Sequence, residues 1–211
     1  MELIASFITT IVLLLYFYYT DRNKETPARL IEAFIIGAAI SLQIDWLQKS
    51  ILITPNIFFQ AFIVAGLIEE GVKLLALRLT LFRHKAFEEK IDGITYAVFL
   101  SLGFATVENI ILVDTIETGI VRAFTSVPAH ALFGVAMGYY IGLYKFNIKN
   151  KSLLLSALLV PAGLHGLYNI FVMSEHPIGL LLFVPYVIFL WAKGLIKIKK
   201  LNRKVEDNHD Q

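Results

Sequence analysis

A small set of ionisable side chains in this chain stands where the surrounding sequence is apolar. Glu69, Glu70 and Lys73 fall in one apolar stretch, Glu108 with Asn109 in the next, His130 in the one after, and His165 with Asn169 in a fourth. On a helix Glu69 and Lys73 share a face at four-residue spacing, and Glu70 lies three before Lys73. Asn169 follows His165 by one turn on the same face. Two histidines with two or three carboxylates suit hydrolysis of an amide or ester by either of two routes. In the first, a carboxylate acts as general base toward water while His and Asn stabilise the oxyanion of a tetrahedral intermediate. In the second, His130, His165 and Glu108 hold a divalent metal such as zinc with an open fourth position, and Glu69 or Glu70 is the base. Asn109 and Tyr168 are candidates for supporting these groups, and Asp92 for capping the helix it begins.

Other hydrolytic designs are excluded by inspection. The chain has no cysteine, hence no thiol nucleophile and no thiolate metal site. It contains no His-Glu-x-x-His and no Gly-x-Ser-x-Gly. Asp45, Asp92 and Asp114 all fall near the ends of apolar stretches, so a mid-span aspartate pair is absent.

The elements that must position these groups are membrane helices. Of 211 residues, 57% are hydrophobic and only 17% charged, with mean hydropathy +0.68; soluble domains carry about a quarter charged residues. Crossing the hydrocarbon core takes about 20 apolar residues. Stretches of that order run at 3–19, 28–47, 56–80, 92–113, 122–143, 152–173 and 177–196, which predicts an all-α, polytopic bundle of about seven transmembrane helices. They form a single domain over residues 1–202, followed by a polar, disordered cytoplasmic tail at 203–211. Glu2 precedes the first stretch without a basic region or cleavage site, so it reads as a retained helix rather than a signal peptide. Gly134, Gly138 and Gly142 at four-residue spacing predict close helix packing.

Basic loops stay cytoplasmic. Apart from Lys49 and Arg122 on the opposite side and Lys73 within a span, the other 16 of the 19 Lys and Arg residues fall in alternate loops or the C-terminal segment. The N-terminus is therefore expected outside and the C-terminus inside. At 1.5 Å per residue, Glu108, His130 and His165 then lie roughly 7–12 Å below the outer surface, and Glu69 nearer the centre.

The ordered set Glu69-Glu70-x-x-Lys73, Asp92-Gly93-Ile94-x-Tyr96, Gly103-Phe104-Ala105-Thr106-x-Glu108-Asn109, His130-Ala131-Leu132 and His165-Gly166-x-Tyr168 resembles the PrsW family. These bacterial membrane proteases make the first, site-1, cut in a membrane-bound anti-sigma factor. More distantly, Glu-Glu, then His, then His-x-x-x-Asn is similar to the type II CAAX prenyl endopeptidases. That likeness implies Glu69 as the water-activating carboxylate assisted by His130, with His165 and Asn169 contacting the oxyanion. Those relatives carry Arg one position after Lys73, and PrsW proteins carry aspartate where Asn169 stands. The resemblance implies a multi-pass protein of the bacterial plasma membrane that cleaves a single-span membrane protein.

Two other classes use similar residues. A proton- or cation-coupled transporter would spread polar groups through the full thickness and show internal repeats, and neither is visible. A non-catalytic scaffold, such as the related subunit of gamma-secretase, would not be expected to keep both glutamates, Glu108 and both histidines. Nucleic-acid binding has no support, because the basic residues flank the membrane stretches.

Overall fold

The structure is a computed structural model describing residues 4–21, 23–51, 56–113, 115–174 and 177–209. Arg22, Pro55, Asp114, Glu175 and His176, which mark breaks or charge in the sequence, lie outside the described residues, as do 210–211. The described chain is helical throughout: α1 (Ile4–Thr20), α2 (Pro27–Ile51), a π-helical segment (Phe59–Glu69) running directly into α3 (Glu70–Leu79), α4 (Asp92–Leu112), α5 (Ile116–Phe124), α6 (Ser126–Lys145), α7 (Lys151–Met173) and α8 (Pro177–His209). Pro27 and Pro177 open their helices, where a missing N–H removes no helical bond.

Among the described residues, five segments are long and apolar enough to cross a membrane: Pro27–Lys49, Asp92–Leu112, Ile116–Lys145, Lys151–Met173 and Pro177–Asn202. The first apolar helix has 17 residues, and the third expected span is divided into the π segment and α3. The structure differs from expectation in two further places. The fifth stretch is preceded by a separate amphipathic helix, α5, whose Thr115 side chain caps the backbone N–H of Thr118 at 3.1 Å. At the other end, α8 continues through residue 203 to His209, where polarity alone suggested disorder.

Polarity is arranged inside out. Nearly the whole of α4 and α6 is buried, whereas α1, α2, α7 and α8 expose Ile, Leu, Val and Phe on their outer faces. Lipid is as apolar as leucine, so such faces meet no penalty there, and close packing must hold the centre instead. The glycines provide it. A Cβ on Gly138 would lie 2.3 Å from the Gly93 carbonyl oxygen, one on Gly142 2.1 Å from that of Lys90, and one on Gly134 2.9 Å from that of Ala97. On the opposite side of α4, a Cβ on Gly103 would stand 2.0 Å from the Phe34 carbonyl oxygen of α2. Helix α4 is thus clamped between α2 and α6 at backbone contact.

Gly138→Val is therefore expected to force α4 and α6 apart and destabilise the bundle by about 1–3 kcal/mol or more. Gly163 of α7 has open space around it, so Gly163→Ala should stabilise by about 0.5–1 kcal/mol. Unfolding of the detergent-solubilised protein in a denaturing-detergent titration reads both. Equal effects of the two substitutions would remove the packing argument.

Asp92 does not cap its own helix. Its Oδ2 accepts the backbone N–H groups of Glu88 and Glu89 at 2.8 and 2.7 Å, fastening the turn that precedes α4. The α1–α2 link meets the same place: Thr95 donates to Asp21 at 2.9 Å, and Asn23 to Glu89. Asp21, which lies outside the spans, has its carboxyl pushed up to about 6, first by burial.

Candidate active site

The π segment places the acidic pair. It ends at Glu69 and α3 begins at Glu70, so the wider turn changes phase at the point where the two carboxylates must diverge. Glu70 turns toward α6 and α7. Its Oε1 accepts from Lys73 Nζ at 2.8 Å and lies 3.0 Å from His165 Nδ1, and neither Glu70 nor Lys73 has any exposed surface. Glu69 turns toward α2, where Gln48 donates to its Oε1 at 2.9 Å. Lys73 Nζ also reaches Glu69 Oε2 at 3.9 Å and packs over the Phe104 ring, 3.9 Å from its centroid.

From α6, His130 stands between two charges. Its Nδ1 is 3.3 Å from Lys73 Nζ and its Nε2 is 2.7 Å from Glu108 Oε2. An ammonium can only donate, so Nδ1 is the acceptor and Nε2 carries the proton toward Glu108. A carboxylate can only accept, so His165 donates from Nδ1 to Glu70, and in the neutral ring Nε2 is the nitrogen without a proton. The imidazoles meet edge to face with centroids 5.0 Å apart, and Phe133 stacks on His165 at 4.7 Å.

Arg122 completes the arrangement from α5. Its Nη2 lies 3.2 Å from Glu108 Oε1 and 3.2 Å from Ser126 Oγ, while Nε donates to Asn109 Oδ1 at 2.7 Å. Asn109 is buried and donates in turn to Ser6 of α1. Sequence reasoning missed Arg122, reading it as a loop charge, and missed Gln48, reading it as part of a break. The signal for Arg122 was that it and Lys49 alone break the one-sided distribution of basic residues.

Beside this cluster is a cavity of about 560 Å³ between α5, α6, α7 and the start of α8. Glu108, Arg122, His130, His165, Tyr168 and Asn169 line it, with Val121, Phe171, Val172 and Phe183 as apolar wall. The acidic pair does not line it. Glu69 instead borders a smaller space of about 40 Å³ with Gln48, Asp45 and Glu108, so Glu108 faces both. Tyr168 is buried and packs edge-on to Phe133 at 6.0 Å.

The metal set differs from expectation. Among the described residues, the buried groups close enough to share an ion are Glu70, His130 and His165, one ligand atom of each lying within 4.8 Å of the others. Glu108 is engaged by His130 Nε2 and Arg122, and Glu70 takes the third place. Two imidazoles and a carboxylate are the donor types of catalytic zinc, and Glu70 Oε2 has no hydrogen-bond partner, so the residues fit a divalent cation. Lys73 already brings a cation to the same gap, 2.8 and 3.3 Å from two of those donors.

Buried glutamates and histidines converging beside a cavity within an apolar helical bundle define a multi-pass membrane protein with an enzyme-like centre. The description of PrsW family intramembrane metalloproteases matches residues 25–192. The chain is 40% identical to Protease PrsW of Clostridioides difficile, covering 92% of this chain and 90% of that protein. It is 39% identical to Protease PrsW of Oceanobacillus iheyensis over 94% of each, and 36% identical to that of Bacillus subtilis over 90% of each. No solved structure matches. The chain belongs to the PrsW family of intramembrane proteases, and its apolar helices agree with a place in the bacterial cell membrane.

Arg122→Met is expected to free Glu108 and, through it, His130. Proteolytic kcat should fall about tenfold or more with KM little changed, less than the about 10²–10⁴ of removing an acid–base group itself, because Arg122 acts through Glu108. Arg122→Lys should restore only part, because an ammonium cannot span Glu108, Asn109 and Ser126 in one planar fork. A rise in KM at constant kcat would assign Arg122 to substrate binding instead.

Proposed function

We propose that this protein is an intramembrane endopeptidase that cuts a single-span, anti-sigma-factor-like membrane protein near its extracytoplasmic side, using carboxylate-activated water. The observation that carries the reading is the meeting of Glu69, Glu70, Lys73, Glu108, His130 and His165, from five helical segments, beside a cavity with an apolar wall. Helix α1 and the π segment with α3 complete seven crossings, with the N-terminus outside and the C-terminus inside. Residues 1–202 form the protease domain, with 203–211 as its cytoplasmic tail.

Roles follow from which atoms remain free. Glu70 is committed to Lys73 and His165 and orients both. Glu69 is held at one oxygen by Gln48, while its Oε2 has no hydrogen-bond partner, so it is the better proton acceptor for water. Three carboxylates face two permanent cations, Lys73 and Arg122, so one further proton neutralises the cluster. A proton taken from attacking water supplies it. Asn169 through its amide, on the cavity wall, then donates to the oxyanion, joined by His165 Nε2 when that imidazole holds a second proton beside Glu70, and Glu108 keeps His130 in its tautomer. Bound at Glu70, His130 and His165, a divalent metal would add Lewis acidity toward the carbonyl.

The test is cleavage of a single-span substrate by the protein reconstituted in liposomes, with and without chelator, the cut mapped by mass spectrometry. A cut in the outer third of the substrate span, lost in His165→Ala, is expected. A full-length substrate after prolonged incubation, with ion flux across the same liposomes, would favour the transport reading.

A further inference from the structure

Further along the same three helices from the catalytic cavity, α6, α7 and α8 enclose a second, apolar groove of about 250 Å³. Leu132 and Ala136 of α6, Val160 and Leu164 of α7, and Leu190 and Gly194 of α8 line it. Gly194 allows the narrow approach: a Cβ there would meet Leu132 Cδ2 at 2.7 Å. At one end the groove is bounded by two cations, Lys193 and Lys197. Lys200 is close by, since it and Lys197 both sit over the Tyr139 ring, at 5.8 and 5.0 Å, and Lys197 also over Tyr140 at 5.2 Å. Among the described residues none of these three ammonium groups has a carboxylate partner.

The position of the charges along α8 identifies what they can meet. Lys193 and Lys197 follow Pro177 by 16 and 20 residues, which at 1.5 Å per residue is about 24 and 30 Å along the helix. That is one hydrocarbon thickness from the helix start, the depth at which lipid phosphates lie. Tyr139 and Tyr140 at the same level fit an interfacial aromatic belt. Apolar walls below and unpaired ammonium groups above match one molecule in both parts: an acyl chain and the phosphate attached to it.

We propose that this groove is a binding site for an anionic phospholipid. One acyl chain lies between α6, α7 and α8, and the phosphate is held by Lys193 and Lys197, with Lys200 adding to the local potential. Anionic over zwitterionic lipid is the expected preference, because a choline or ethanolamine headgroup returns a positive charge to a site that already holds three.

The experiment uses the full chain in mixed micelles with phosphatidylglycerol carrying a photoreactive acyl chain, and mass spectrometry to locate the labelled peptides. Labelling of the α6 and α8 groove segments is expected, displaced by unlabelled phosphatidylglycerol and not by phosphatidylcholine. Lys193→Gln with Lys197→Gln should lower it about 25-fold, at about fivefold per lysine near the headgroups. Val160→Trp, which fills the groove and leaves the charge, should lower it as well. Lys85→Gln with Lys149→Gln removes the same charge from exposed loops and should not change it. The proposal is overturned if phosphatidylcholine competes equally, if the loop variants lose as much labelling as the groove variants, or if Val160→Trp labels like wild type. Melting temperatures near wild type for the lysine variants keep a loss of labelling from meaning a loss of fold.

Discussion

Lys73→Met is expected to destabilise the protein by about 3–5 kcal/mol, the range for breaking a buried ion pair by removing one partner. Lys73 touches Glu70, Glu69, His130 and the Phe104 ring, and no part of it reaches the surface. Methionine fills much of the volume but leaves Glu70 charged in a space with only imidazoles for company. The loss should therefore exceed that from Glu70→Gln, which leaves the ammonium with Glu69 and a neutral carbonyl acceptor. Combining Lys73→Met with Glu70→Gln should recover part of the loss, so the double variant is less destabilised than the sum of the singles. Unfolding midpoints in a denaturing-detergent titration give all three values. A loss below about 1 kcal/mol for Lys73→Met would mean that water reaches the pair and that it behaves as a surface ion pair.

Glu69→Gln is expected to lower kcat by about 10²–10⁴, the contribution of a positioned general base, while leaving the unfolding midpoint close to wild type. The substitution is isosteric, and the amide oxygen can still accept from Gln48. What is lost is the acceptor at Oε2, which no other described group occupies. Glu70→Gln should lower both activity and stability, because Glu70 holds Lys73 and His165 together. Steady-state cleavage of a single-span substrate, with an unfolding curve for each variant, separates the two behaviours. If Glu69→Gln keeps more than a tenth of wild-type kcat and Glu108→Gln does not, the base is Glu108, which faces both the small space beside Glu69 and the large cavity.

The membrane class, the glycine face of α6 and most of the ionisable residues that the structure brings together were legible in the chain itself. Each rests on a strong local rule. Hydrocarbon rejects charge, so a glutamate or histidine in an apolar stretch marks itself out, and glycines at four-residue spacing make one smooth face whatever the neighbours are. The spacing of Glu69, Glu70 and Lys73 also implied an ion pair, because three- and four-residue separations on a helix always bring side chains together.

Only the tertiary structure decided how these groups are shared. The sequence offered Glu108 with the two histidines as one possible metal set; packing brings Glu70 to the histidines instead, while Arg122 arrives from α5 and holds Glu108 from the other side. Arg122 was invisible as a site residue because a loop arginine and an arginine folded into a site have the same sequence context. The π segment was equally hidden, since no residue type announces the wider turn; neighbours on any helix diverge by about 100°, and the phase in which the π segment meets α3 is what accompanies Glu69 facing α2 and Glu70 facing α6 and α7. Periodicity along one helix determines what that helix can present. Which partner each group meets depends on distances between helices, and those are set by backbone contacts such as Gly138 against Gly93, far along the chain from the charges they position.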